Sequence, residues 1–167
     1  MRAGGYSSVL FVCTGNICRS PTAEGVMLRR VAEAGLGGRV VVDSAGTHDH
    51  HIGKAPDPRT VRHAARRGYD LTHLRARQVQ LPDFERFDLI LAMDHEHLSH
   101  LVKMAQPNHA GKLQLFMDRA QGPRGCEVPD PYYGGPPDFE RVLDLVEASI
   151  AGLIEDLSYA SGQRRGN

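Results

Sequence analysis

The stretch VLFVCTGNICRSPTAE, residues 9–24, restricts the fold more than any other part of the chain. Residues 7–12 (SSVLFV) are short, apolar and β-rich, which predicts a buried strand. Cys13 ends that run, and a polar loop carrying Gly15 and Asn16 follows. Ser20 and Pro21 suit the cap and first turn of a helix. Ala23, Val26, Met27, Arg30, Val31 and Ala34 keep helical spacing up to Gly35, a favourable stop. The stem of Arg30 can lie over apolar surface with its charge outside. A strand that passes through a short loop into an amphipathic helix needs a sheet around it, with the helix folded back onto that sheet.

The alternation continues. Residues 39–43 (RVVVD) predict a second strand, followed by a loop with Gly46, Gly53, Pro56 and Pro58. Asp57-Pro58 reads as a cap and first-turn proline for a short helix closed by Gly68. Residues 87–92 (FDLILA) predict a third strand. Asp94 is placed to cap the next helix, with Leu98, Leu101, Val102 and Ala105 on one face and Pro107 as its stop. Residues 113–116 (LQLF) give a weaker fourth strand, and 122–137 a Pro/Gly-rich loop. Asp138 then reads as the cap of a long helix whose Phe139, Val142, Leu143, Val146, Ile150, Leu153, Ile154 and Leu157 hold one period. The expected architecture is α/β: a small doubly wound, mostly parallel four-stranded sheet flanked by helices. One domain is expected over 1–160, with a disordered tail at 161–167. Ligands in such sheets bind beyond the carboxyl ends of the strands, where the loop after Cys13 falls.

Cys13 and Arg19 bracket that loop as Cys-x5-Arg. A loop of this kind can turn several backbone N–H groups inward at the positive end of a helix, making a nest for an anion. No residue between Cys13 and Ser20 is acidic. The planar fork of Arg19 can hold two phosphate oxygens, which lysine cannot do. A thiol among N–H dipoles and beside a guanidinium is expected to ionise readily; thiols in such surroundings have pKa values of about 3.5–7.5, against about 8.5 for a free cysteine. The pattern predicts a thiolate nucleophile next to a bound oxyanion, with the loop stabilising charge on the equatorial oxygens during transfer. Read singly, Cys13 is a small buried hydrophobe and Arg19 a surface charge; their joint placement carries the chemistry. Asp130, in VPDPYYGG, reads by itself as a turn aspartate before proline. Tyr132 and Tyr133 read as core or interface aromatics. Asn16 suits a left-handed backbone position.

Lys+Arg and Asp+Glu balance at 20 each, so no overall basic charge points to nucleic acid or an anionic membrane. Three cysteines (Cys13, Cys18 and Cys126) form no disulfide framework and fit a reducing compartment. The apolar run in the first twenty residues is too short for a secretory signal, and no stretch has the length of a membrane span. A cytoplasmic location is expected. His48, His50 and His51 cluster, as do His95, His97 and His100, but HEHLSH is not HExxH and its spacing spreads the rings over different helix faces. No metal and no cofactor are expected.

VLFVCTGNICRSPTAE resembles the phosphate-binding loop of the low-molecular-weight protein tyrosine phosphatases. The likeness continues in order through VDSAGT at 42–47, IGKAPDPR at 52–59, RARQV at 75–79, AMD at 92–94 and DPYYGGPPDFE at 130–140. The resemblance implies a metal-independent protein-tyrosine phosphatase working through a phosphocysteine intermediate. It assigns Cys13 as nucleophile, Arg19 as phosphate clamp and Asp130, the aspartate of the DPYY motif, as general acid and then base. Thr14, Gly15, Asn16, Ile17, Cys18 and Ser20 would bind substrate with His50, Tyr132 and Tyr133, the tyrosine pair walling the entrance. Ser20 would donate a hydrogen bond to the nucleophile. Ser44 and His73 would hold Asn16, and through it the loop. Cys18 would trap an oxidised nucleophile as a reversible disulfide.

The chain departs from the family pattern after VDSAGT. Many relatives carry Trp or Tyr there; this chain reads THDHHIG, with His50 or His51 in that place, so the wall is expected to be less aromatic and more pH-dependent. A protonated histidine wall would also favour an anionic flank beside the phosphate. Three rival functions share the fold or the loop. Protein-arginine phosphatases have Thr before the second loop cysteine, where this chain has Ile17. Arsenate reductases need a relay of further cysteines, and only Cys126 lies beyond the loop. A binding module without turnover would not need Cys13, Arg19 and Asp130 together. The expected partners are phosphotyrosine proteins, with a cognate tyrosine kinase by family analogy.

Overall fold

In the computed structural model, which describes residues 6–163, four parallel strands form one sheet in the order β2-β1-β3-β4. The strands are β1 (Ser8–Cys13), β2 (Val41–Gly46), β3 (Leu89–Ala92) and β4 (Leu113–Leu115). The helices are α1 (Arg19–Glu33), α2 (Pro58–Arg66), α3 (Asp83–Arg86), α4 (His95–Met104) and α5 (Pro136–Gln163), with 3₁₀ turns at Pro107–Lys112 and Phe116–Arg119.

β1 is central and every residue of it is buried. That explains its near-continuous apolar sequence, since helices cover both faces of a parallel sheet. Its alternate side chains serve two cores. Val9, Phe11 and Cys13 pack with Ala23, Val26 and Met27 of α1 and with Val142, Val146, Ile150 and Leu153 of α5. Leu10 and Val12 pack on the other face with Phe84, Phe87, Ile90 and Leu101. The chain leaves β1 toward β2 on one side, while β3 pairs with its other edge. The loop after Cys13 therefore lies at the switch point of the sheet, at the strands' carboxyl ends.

Several boundaries differ from the sequence pattern, each for a local reason. β2 starts later and runs on through Ser44, Ala45 and Gly46, which pair with Phe11, Val12 and Cys13 of the buried central strand. α1 begins at Arg19 with Cys18 at its cap position and no side-chain cap; Ser20 lies inside the helix with its hydroxyl turned toward Cys13. α5 begins at Pro136, so Asp138 sits in the first turn and reaches back to accept from the Gly135 N–H at 2.8 Å. Val102 is exposed, because Leu98, Leu101 and Ala105 already fill the narrow seam of α4. The short helix α3 and both 3₁₀ turns carried no periodic signal. Asp57 and Asp94 cap as expected, accepting from Arg59 N and His97 N. α5 continues past Ser161 to Gln163; the rest of the expected tail lies outside the described residues. No helix among the described residues is long and apolar enough to cross a membrane.

Candidate active site

The loop between β1 and α1 is held from outside by its carbonyl groups. The oxygens of Cys13 and Thr14 accept from Thr47 N (2.8 Å) and His48 N (3.1 Å), that of Ile17 accepts from Asp57 N (2.9 Å), and that of Cys18 accepts from the Thr22 hydroxyl (2.7 Å). The N–H groups of residues 14–18 have no partner among the described residues. Five successive donors left free at a helix start make a strong nest for an anion. Asn16 provides the turn: its φ of +56° makes it the one non-glycine residue with positive φ among those described. β2 passes directly beneath the loop, and a Cβ at Gly46 would lie 2.6 Å from the Thr14 oxygen.

Side chains tie the loop to the nucleophile position. Asn16 Nδ2 donates to Ser20 Oγ (2.8 Å) and to Ser44 Oγ (2.9 Å), while its Oδ1 accepts from Arg77 N (3.0 Å). Ser20 Oγ lies 3.0 Å from Cys13 Sγ. Ser44, expected as a loop support, is in place. His73, also expected, is not: it is exposed, and the backbone N–H of Arg77 fills the position it would have taken. Leu71, Leu74, Ala76 and Val79 turn inward along this segment and leave His73 pointing out. Ser44 Oγ instead donates to Glu24 Oε2 at 2.5 Å.

Glu24 is buried, and burial raises its pKa from 4.5 to about 7, against the lowering effect of the Ser44 hydrogen bond. A carboxyl raised in this way stabilises the fold fully below its ordinary pKa of 4.5 and loses that contribution as pH rises through about 7. The Glu24→Gln variant is therefore expected to gain on the order of 2–3 kcal/mol of unfolding free energy near pH 8, and little near pH 5. Urea unfolding at the two pH values measures this; an equal gain at both would show that Glu24 does not titrate.

Arg19 closes the cradle. Its side chain is only 5% exposed, so its charge must be compensated inside the protein. Nη1 pairs with Asp94 Oδ2 at 2.9 Å and donates to Val128 O at 3.1 Å; Nη2 faces Thr14 Oγ1 at 3.5 Å and Asp130 Oδ2 at 3.8 Å. Val128 is itself fastened to Met93 O through its N–H. Burial would raise the Asp94 carboxyl, but the N–H of His97 and the charge of Arg19 hold it below its ordinary value. His97 is buried, with Nε2 2.7 Å from Thr14 Oγ1 and Nδ1 3.1 Å from Asp94 Oδ1, the latter without the alignment of a hydrogen bond. Burial, and then the Arg19 charge, push His97 down to about 4, so it is neutral at physiological pH. The carboxylate favours the proton on Nδ1, leaving Nε2 to accept from Thr14.

A cleft of about 400 Å³ opens above the loop, bounded by Cys13, Thr14, Gly15, Ile17, Cys18 and Arg19 below and by Asp130, Tyr132, Tyr133 and His50 around the mouth. The Asp130 side chain is 49% exposed and faces Arg19, and its Oδ1 accepts from Tyr132 N at 3.1 Å. Tyr132 and Tyr133 meet edge to face, and the Arg59 guanidinium, clamped by Asp57, lies over Tyr132. His48 and His51 line the cleft too, His51 resting where a Cβ on Gly15 would fall. Cys18 is buried, which lifts its thiol to about 12 and keeps it protonated. Cys126 is exposed and does not line the cleft.

Asp94, His97, Glu24 and Arg77 were missed as site residues. Asp94 was read only as a cap, and His97 was set aside with the other helix histidines. The rings do spread: His95 faces Gly125 O, His97 the loop, and His100 approaches His48. No group of side chains among the described residues could hold a metal ion.

A sequence model described as low molecular weight phosphotyrosine protein phosphatase matches residues 8–162. A low-molecular-weight protein-tyrosine-phosphatase of Streptomyces coelicolor is 49% identical over 149 residues, 87% of this chain and 90% of that one. The crystal structure of a protein tyrosine phosphatase from Entamoeba histolytica, with Hepes in the active site, superposes with a TM-score of 0.87 at 38% identity, covering 92% of this chain and 98% of that one. YfkJ from Bacillus subtilis superposes with a TM-score of 0.86 at 37% identity, covering 94% and 98%. The chain belongs to the low-molecular-weight protein-tyrosine-phosphatase family. It is a phosphatase with the α/β fold of that family, and its substrates are phosphoproteins.

Proposed function

We propose that the cleft hydrolyses phosphotyrosine monoesters in two steps through a phosphocysteine. The observation that carries this reading is the row of unpartnered N–H groups at residues 14–18, closed by Arg19 and floored by a Cys13 sulfur in contact with the Ser20 hydroxyl. The phosphate oxygens take those N–H groups and the Arg19 fork, which Asp94 and Val128 hold in one orientation. Cys13 thiolate attacks phosphorus in line; the bond from phosphorus to the tyrosyl oxygen breaks, and Asp130 gives that oxygen its proton. A water then attacks phosphorus and Asp130 takes a proton from it. The phosphorus–sulfur bond breaks, and the returning thiolate accepts the Ser20 hydrogen bond. The nest bears the equatorial charge in both steps.

Tyr132 and Tyr133 offer aromatic walls to the substrate ring. Ile17 adds apolar surface at the floor and disfavours the cationic leaving group of phosphoarginine. Three free thiols suit the reducing cytoplasm, where phosphotyrosine proteins and a cognate tyrosine kinase would meet the enzyme. Matched phosphotyrosine and phosphoarginine peptides, assayed for phosphate release under reducing conditions, test the substrate. Release from phosphotyrosine is expected to be favoured by on the order of 10²-fold or more. A preference for phosphoarginine would keep the chemistry and overturn the substrate.

A further inference from the structure

Four of the chain's nine histidines gather at the mouth of the cleft, from two separate elements. His48, His50 and His51 belong to the loop after β2 and line the cleft, and His100 stands behind them on α4. The rings make a row. His50 meets His48 edge to face with ring centres 5.5 Å apart, and His48 approaches His100 at 6.1 Å. His48 and His50 are exposed, and His51 and His100 are half-buried.

Other histidines of the chain are committed to the fold. His63, His97 and His109 each lie against a carboxylate, and His95 bonds Gly125 O. The row at the mouth is not committed in this way. His48 Nδ1 meets the Thr47 hydroxyl at 2.8 Å. Its Nε2, and both ring nitrogens of His50, His51 and His100, have no hydrogen-bond partner among the described residues. A wall that only stacked on the tyrosyl ring would need an aromatic face, which Tyr132 and Tyr133 already offer. Unpaired ring nitrogens beside the phosphate cradle offer something more, a set of donors that carries charge once protonated.

We propose that this row is a subsite for an anionic group, a carboxylate or a second phosphate, carried by the substrate within a few residues of its phosphotyrosine. The inference names a substrate class for the phosphotyrosine reading above and rests on that reading. Protonated imidazoles donate charge-assisted hydrogen bonds to an oxyanion. Rings this close repel one another when charged, and an anion held beside them offsets that repulsion. The neighbouring charges set the sign. Asp49 and Lys54 are exposed on the same loop and oppose each other in charge. Glu96 of α4 lines the cleft, His97 of the same helix is neutral, Arg19 is paired with Asp94, and Asp130 faces Arg19. Glu96 is thus the main carboxylate set against four imidazoles, so protonation makes the row attractive to an anion and rising pH removes the attraction.

Phosphotyrosine peptides with Glu, Gln, Lys or phosphoserine at two positions on each side test the subsite, since everything common to the phosphotyrosine cancels in their ratios. Release is followed by the absorbance of the product tyrosine. At pH 6, kcat/KM for the Glu-flanked peptide is expected to exceed that for the Gln-flanked one by about 3- to 10-fold, and at pH 8 by no more than about twofold. The His48→Gln/His50→Gln double variant is expected to lose the pH 6 preference. A gain with phosphoserine but not Glu would assign the row to a second phosphate; a gain with both, to either anion. A preference for Lys flanks, which Glu96 would impose, overturns the proposal, and so does an acidic preference that is absent from the wild type or unchanged in the double variant. Calorimetry of the same peptides on Cys13→Ser at pH 6 reads the flank without turnover. Tighter binding of acidic flanks, with no Cys13-dependent release from any peptide, would leave the subsite standing and refute the hydrolysis instead.

Discussion

Replacing Cys13 by serine is expected to lower phosphate release from phosphotyrosine peptides by about 10⁴- to 10⁶-fold, with inorganic phosphate still bound to within a few-fold of wild type. The two halves of this result have separate causes. Binding is carried by the free N–H groups of the loop and by Arg19, none of which the substitution removes. Turnover requires an atom that can attack phosphorus as an anion near neutral pH. A serine hydroxyl in the same place has a far higher pKa, and the described residues put no general base beside it; its one close polar neighbour is the Ser20 hydroxyl. Calorimetry with phosphate and a radiolabelled or malachite-green release assay read the two halves independently. Retained turnover in Cys13→Ser would sink the covalent mechanism. Loss of both would mean that the cradle itself depends on the thiol.

Asp130→Asn is expected to slow hydrolysis of phenyl phosphate, a poor leaving group, by about 10²- to 10⁴-fold, and that of a strongly acidic phenol ester by far less. Asp130 is well placed for this contrast. It is half exposed at the mouth, faces Arg19 at 3.8 Å, and has Oδ1 fixed by Tyr132 N, with Oδ2 on the side of the phosphate clamp. A phenolate that leaves unaided needs no proton; one that cannot leave unaided waits for it. A series of aryl phosphates of graded phenol pKa therefore gives a steeper slope in the variant than in the wild type. Parallel slopes would show that Asp130 does not donate the proton, and that its contact with Arg19 is its main use.

Both effects were legible in the sequence, for different reasons. Cys13, Gly15, Asn16, Arg19 and Ser20 lie within eight residues, and a strand, a turn and a helix N-terminus place them without help from distant chain. The caps Asp57 and Asp94 were legible for the same reason, because a cap bonds within its own first turn. Asp130 was not of this kind: its own surroundings read as a turn, and only the resemblance to a family singled it out. The helix boundaries that shifted did so where local preference met a tertiary demand. Ser20 is a good cap by type, yet it sits inside α1 because Asn16 and Cys13 need its hydroxyl.

The chain by itself determined the strand–loop–helix that makes the anion cradle, the left-handed turn at Asn16, the apolar pattern that buries β1 on both faces, and a class of chemistry that joins a thiol to an arginine. Those features depend on contacts a few residues apart, where backbone geometry leaves few choices. The tertiary structure alone decided what surrounds the cradle. Arg19 meets Asp94 across 75 residues, Asn16 meets Arg77 across 61, and Ser44 meets Glu24 where β2 crosses α1. On the segment from Leu71 to Val79, Leu71, Leu74, Ala76 and Val79 are buried and His73 is exposed, while Glu24 meets the Ser44 hydroxyl. Hydrophobic burial decides which of these side chains turn inward, because the apolar row anchors the segment. The charge state of the network behind the nucleophile follows from that packing.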